Sequence, residues 1–271
     1  DRAVTGVQTC ALPISVPDSS SEAEIFTGLP TDNDVLEDVR RLAGRLRREN
    51  GDLPGNLDFT VPIGWEERIG HLDDQPIKRL IIFLRSTGCE WVEKTGGCTM
   101  CGFYCATSRG REVSAEEYVA QFEYVMDAVD LRDYPVVSIY NDGNIFNERE
   151  MPVAAIEKIC SYIDGYRNIK KVVVESRIDY SPDEYVERMK KALNGRQLEV
   201  AFGFESADPQ VMNLCINKGF SANNFDVFHS RMRDMGVLTK PLLLVKPPFL
   251  TEAEAVSDVL KTVSYCVSRG I

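Results

Sequence analysis

Residues 78–105 read KRLIIFLRSTGCEWVEKTGGCTMCGFYC, and the fold turns on how this run is parsed. Its opening, KRLIIFLRS over 78–86, is a short apolar block of strand length. It passes without a break into a loop that carries Cys89, Cys98, Cys101 and Cys105. Eight residues separate Cys89 from Cys98, and two separate Cys98 from Cys101. A Cys-x-x-Cys pair lets two thiolates from one tight turn reach the same metal. Gly96, Gly97 and Gly102 permit the backbone conformations such a turn needs.

Three chemistries fit that spacing. A structural zinc site would take Cys105 as its fourth thiolate, although such sites usually come as two spaced pairs. A redox pair would use Cys98 and Cys101 and leave Cys89 unexplained. An iron–sulfur cluster held by three cysteines would leave one iron open to another ligand. The two histidines, His71 and His229, lie far from the loop in sequence, which weakens a mixed Cys/His zinc site. Cys160, Cys215 and Cys266 stand alone in apolar or helical contexts and read as buried, inert thiols.

Downstream of the loop the pattern alternates. The apolar runs PVVSIYNDGN (135–144), KKVVVESR (170–177), LEVAFGFES (198–206) and KPLLLVKPPF (240–249) predict four more strands. The segments 114–131, 151–166, 181–195, 223–236 and 251–270 have the spacing of amphipathic helices. Five strand–helix repeats imply parallel β/α units, with the sheet either covered on both faces or curled into a barrel. In such folds the chemistry gathers at the C-terminal ends of the strands. One rim therefore collects the cysteine loop, Asn141-Asp142-Gly143-Asn144, Glu175-Ser176-Arg177, Glu205-Ser206 and Lys246-Pro247-Pro248. Upstream, residues 16–32 read as a polar loop and 31–50 as a helix.

The whole chain has 271 residues, a net charge of −11 and a pI near 4.8. A broad basic face for gripping nucleic acid is not the default for such a balance. No apolar stretch approaches the roughly 20 residues of a membrane helix. Residues 1–15, DRAVTGVQTCALPIS, resemble the translation of a sequencing-library adapter, and we set them aside as an artefact. The expected division is then 1–15, an N-terminal helix and entry segment over 16–77, and a β/α core over 78–271 that stops before a sixth strand. Nothing at the N-terminus reads as a secretion signal, and the crowded cysteines are unlike a secreted disulfide framework, so the expected location is cytoplasmic.

The segments 88–103, 139–150, 172–180, 202–220 and 242–256 together resemble the radical S-adenosylmethionine (SAM) superfamily, in the branch that contains the elongator catalytic subunit. Within it, the chain resembles the radical-SAM subunits of archaeosine synthase and their relatives. The resemblance implies an α/β fold, a partial (β/α)6 TIM-like barrel with about five β/α units present. It implies a [4Fe–4S] cluster on Cys89, Cys98 and Cys101, with SAM chelating the fourth iron and Cys105 outside the pattern. Met100 would lie near the adenine. Asn141, Asp142 and Gly143 would receive the SAM ammonium, Glu175 and Arg177 would serve its carboxylate end, and Glu205 would hold a ribose hydroxyl. Lys218 and Lys246 are candidates for holding substrate. The turn Asn141-Asp142-Gly143-Asn144 departs from the glycine-rich or Ser-Gly-Ser forms usual at that position.

The implied activity is one-electron reductive cleavage of SAM to a 5′-deoxyadenosyl radical, followed by hydrogen abstraction. The electron donor would be of ferredoxin or flavodoxin type. Two substrate readings stand: a deazaguanine base on tRNA, with a partner subunit supplying positive charge, or a molecule of a small-molecule pathway. The rival from another class is a zinc-stabilised α/β binding module using Cys89, Cys98, Cys101 and Cys105.

Overall fold

The computed structural model describes residues 33–49 and 57–271; the adapter-like residues 1–15 lie outside the described residues. In chain order the elements are α1 (Asn33–Glu49), β1 (Gly64–Leu72), β2 (Gln75–Phe83), α2 (Glu90–Thr95), α3 (Ala115–Ala128), β3 (Val136–Tyr140), α4 (Val153–Asp164), β4 (Lys171–Glu175), α5 (Asp183–Ala192), β5 (Gln197–Glu205), α6 (Ala222–Asp234), β6 (Leu238–Leu243) and α7 (Glu252–Val267). The six strands form one sheet in sequential order β1-β2-β3-β4-β5-β6. β2 through β6 run parallel, as the five predicted strands require, and β1 is antiparallel to β2. The sheet is open: β1 and β6 are its two edges.

β1 is a strand that the apolar pattern does not announce. Its sequence GWEERIGHL is mostly exposed, as an edge strand permits. Asp73 and Asp74, both with positive φ (49° and 61°), make the two-residue turn that returns the chain into β2. Two left-handed residues in a two-residue loop are the geometry of a type I′ hairpin.

The helices cover one face of the sheet. Leu80, Ile82, Val137, Ile139, Val172, Val174, Val200, Phe202 and Phe204 belong to one core with Phe122, Ile159, Val186, Phe225 and Phe228 of the helices. The alternate strand residues point to the other face, where Val136, Val173 and Ala201 form a small apolar patch with Tyr140 and Leu242. Around that patch lie charges. Lys171 Nζ is 3.0 Å from a Glu199 oxygen, and Lys240 Nζ is 3.7 Å from the other. A one-sided helix layer and a charged, partly buried opposite face match the expected partial barrel. Ser114, Ser221 and Thr251 close capping boxes at the starts of α3, α6 and α7, which fixes where each helix leaves the rim.

Candidate functional site

The cysteine loop leaves β2 at the C-terminal rim, and Cys89 is the N-cap of the short α2. Gly96 ends that helix in the left-handed region, with φ 82°. The Cys-x-x-Cys turn follows, its Cys101 amide donating to the Cys98 carbonyl at 3.1 Å. Residues far along the chain hold the loop down. Thr99 N donates to the Ile216 carbonyl at 2.9 Å, Trp91 Nε1 to the Asn217 carbonyl at 2.9 Å, and Asn217 Nδ2 back to the Gly97 carbonyl at 2.9 Å. Gly219 must be glycine here: a Cβ would stand 2.2 Å from the Trp91 ring.

Two cysteine sulfurs face nitrogen donors from the strand ends. Asn144 Nδ2 is 3.7 Å from Cys89 Sγ, and Arg177 Nη1 is 3.9 Å from Cys98 Sγ. Burial, reinforced by the nearby Glu150 charge, pushes the Cys89 thiol up to about 12. A metal that binds there displaces that proton. Cys105 sits in a 3₁₀ turn, Phe103–Ala106, with its carbonyl accepting from Arg109. All seven described cysteines are thiols rather than disulfides, and among the described residues no three His, Cys, Asp or Glu side chains have closed into a metal-ligating group.

The turn after β3 carries Asn141, Asp142 and Gly143. Asn141 is buried; its Oδ1 accepts from Gly143 N at 3.2 Å, and its Nδ2 is buried without a hydrogen-bond partner. Burial pushes Asp142 up to about 6. Gly143 lies against Glu150, whose Oε2 would be 2.3 Å from an added Cβ. Glu150 is the hub of this corner: it accepts from Glu90 N at 2.9 Å, Asn144 N at 2.6 Å, Asn144 Nδ2 at 2.7 Å and Asn147 Nδ2 at 2.8 Å. Burial still raises it to about 7. Glu150 was not among the residues singled out from the sequence.

The ends of β4 and β5 bring the remaining predicted residues together. Glu175 is pushed up to about 7, chiefly by burial, with Lys218 opposing and Asp142 and Glu205 adding to the rise. Glu205, at φ 64°, turns its carboxylate onto Lys218 Nζ at 3.2 Å. Gly203 makes the room, since a Cβ there would be 2.1 Å from Glu205 and 2.5 Å from Lys218. Arg177 is buried; it grips Asp179 with Nε at 3.0 Å and Nη2 at 2.8 Å and lies 4.4 Å from the Trp91 ring centroid. Met100 is 36% exposed at the mouth of the loop. Lys246 is not part of the group: it is exposed and pairs with Glu252 of α7.

The chain is 32% identical over 188 residues to archaeosine synthase subunit beta of Methanosarcina acetivorans, covering 69% of this chain and 53% of that protein. It is 30% identical over 245 residues to an uncharacterised protein of Methanocaldococcus jannaschii, covering 88% and 66%. The archaeosine synthase subunit beta of Thermococcus kodakarensis is 25% identical over 190 residues, 70% of this chain and 58% of that one.

The chain is a member of the radical SAM superfamily, related to the archaeosine synthase beta subunits. It spans between about half and two thirds of the length of these relatives. No protein-family profile matches it. Among solved structures, the cobalamin-dependent SAM radical enzyme OxsB superposes with a TM-score of 0.47 at 16% identity, over 68% of this chain and 26% of its own.

Radical SAM proteins in general work with SAM and a [4Fe–4S] cluster. The donors here suit that pair: soft thiols on one loop, two with N–H groups at their sulfurs, beside a buried amide with an unused donor. No helix among the described residues is long and apolar enough to cross a membrane.

Proposed function

We propose that this chain is the SAM-cleaving core of a radical enzyme, with Cys89, Cys98 and Cys101 holding the [4Fe–4S] cluster. When bound, the cluster and SAM supply one-electron reductive cleavage to a 5′-deoxyadenosyl radical that abstracts hydrogen from substrate. The observation that carries this reading is the meeting of two loop thiols with the Asn141–Asn144 turn and the Glu175–Arg177 strand end in one buried corner.

The protein's own part is to bind, orient and exclude water. Asn141, Asp142 and Gly143 receive the SAM ammonium, the unused Asn141 amide and the Asp142 carboxyl lying in that turn. Glu175, half protonated near neutral pH, can donate or accept a hydrogen bond at the carboxylate end of SAM, beside the Arg177 charge. Glu205 serves a ribose hydroxyl and the Met100 backbone lies near the adenine. The catalytic core over 78–271 draws its electron from a ferredoxin- or flavodoxin-type donor. The substrate is a deazaguanine base in tRNA, as the relatives named archaeosine synthase suggest, with a partner subunit contributing to RNA binding. A net charge of −11 favours that help, because phosphate contacts need local Lys and Arg. The same charge supports the second reading, a small-molecule substrate.

The test is anaerobic iron–sulfide reconstitution followed by dithionite and SAM, with 5′-deoxyadenosine quantified beside a Cys98→Ala control. The expected result is product from the native chain and at least a hundredfold less from the control. A colourless protein that retains zinc and makes no product would replace the proposal with the four-thiolate binding module.

A further inference from the structure

Two side-chain donors that reach cysteine sulfurs, Asn144 and Arg177, belong to one buried network. Asn144, fully buried, directs Nδ2 at Cys89 Sγ (3.7 Å) while donating to Glu150 Oε1 (2.7 Å). Its Oδ1 accepts from the Arg177 backbone N at 2.9 Å. These partners fix which end of the amide faces the sulfur. A flipped Asn144 would set its oxygen against the Glu150 carboxylate and its NH₂ against the Arg177 N–H, losing both bonds.

Arg177 carries the network to the second sulfur, with Nη1 3.9 Å from Cys98 Sγ. Its remaining donors are occupied: Nε and Nη2 by Asp179, and Nη2 also by the Lys218 carbonyl at 2.7 Å. The Trp91 and Phe220 rings, 4.4 and 5.4 Å from the guanidinium carbon, hold its plane. The Nε–Nη2 edge of Arg177, which the resemblance assigns to the carboxylate end of SAM, is therefore taken by Asp179.

We infer that Asn144 and Arg177 are positioning residues directed at the thiolates. Their N–H groups draw charge from the Cys89 and Cys98 sulfurs and so raise the potential at which a cluster held there takes up an electron. Hydrogen bonds to cluster sulfurs stabilise the more negative, reduced state, and a charged donor does so more than a neutral one. The inference rests on the cluster reading above.

The experiment compares the full chain with Asn144→Ala, Arg177→Lys and Arg177→Met after anaerobic reconstitution and without SAM. Iron per chain is counted, and the cluster midpoint potential is read from an EPR-monitored titration. Expected are native iron content and midpoints shifted negative in the order Arg177→Met, Asn144→Ala, Arg177→Lys, from largest to smallest. Native iron content with unshifted midpoints overturns the inference and leaves the cluster reading intact. A native chain that takes up no cluster overturns both. Where a variant fails to load iron, resonance Raman on the native protein decides. Fe–S stretching bands that move on exchange into D₂O support the N–H donors, and bands that stay still overturn them.

Discussion

The two faces of the same sheet are built on opposite terms. On the helix-covered face, Val172 and Val174 of β4 and Phe202 and Phe204 of β5 pack into the main core. One residue over, the same strands carry Lys171, Glu175, Glu199 and Glu205 on the other face, most of them substantially buried. The first face follows from the hydrophobic effect and stabilises the fold. The second spends stability on charges that must be paired or protonated to stay out of water. Where a fold tolerates that cost, it holds groups poised to interact with a ligand.

The largest contrast is expected from Phe225. It stacks on Phe204 at 4.4 Å and packs on Phe202 at 5.6 Å, in the middle of the helix-covered face. Phe225→Ala removes that filling and costs about 3–5 kcal/mol, read as a lower urea midpoint. An unchanged midpoint would break the assignment of stability to this face.

Lys218 sharpens the comparison from the charged side. Lys218→Met leaves Glu205 buried without its partner beside Glu175, at a cost of about 3 kcal/mol. The double change Lys218→Met with Glu205→Leu recovers most of it, because the pair itself contributes little net stability. If the double variant in urea were as weak as the single one, the pair would be structural after all.

The smallest effect is a pH dependence. Glu175 is raised from an ordinary 4.5 to about 7, so the folded chain holds this proton more tightly than the unfolded one. Its contribution to stability is full below about 4.5 and is lost as pH rises through about 7. Asp142, raised to about 6, acts in the same direction. The cluster-free protein is expected to melt higher at pH 5.5 than at pH 8, and Glu175→Gln to narrow that gap. A gap untouched by Glu175→Gln would remove this residue from the charged face.

The helix-covered face was legible in the sequence because burial leaves a periodic trace. The apolar runs at 78–86, 135–144, 170–177, 198–206 and 240–249 each overlap one of the five parallel strands, the last by only its first four residues. The edge strand Gly64–Leu72 left no such trace, since most of it faces water and its turn is Asp73-Asp74 rather than a glycine pair. In the site, the cysteines and strand-end residues were visible as spacing and position. Asn144 appeared only as the last letter of a turn, and Glu150 and Trp91 not at all. Each acts through contacts across the loop boundary, such as Glu150 on the Glu90 amide, that leave no period to read. Lys218 and Lys246 looked alike in sequence; only the fold buries one on Glu205 and leaves the other exposed beside Glu252.

The stitching of the cysteine loop to residues 215–219 also sets an order of events during synthesis. Thr99, Trp91 and Gly97 take their partners from Cys215, Ile216 and Asn217, more than a hundred positions later. At roughly 5–20 residues per second, the ribosome emits those partners on the order of ten seconds after the cysteines. Throughout that interval the Cys98 end of the loop lacks these fastenings, while Glu150 and Asn144, only some fifty to sixty positions on, already reach the Cys89 end. A cofactor taken up by all of these cysteines would therefore be delivered late, after the fifth strand has left the tunnel rather than the first.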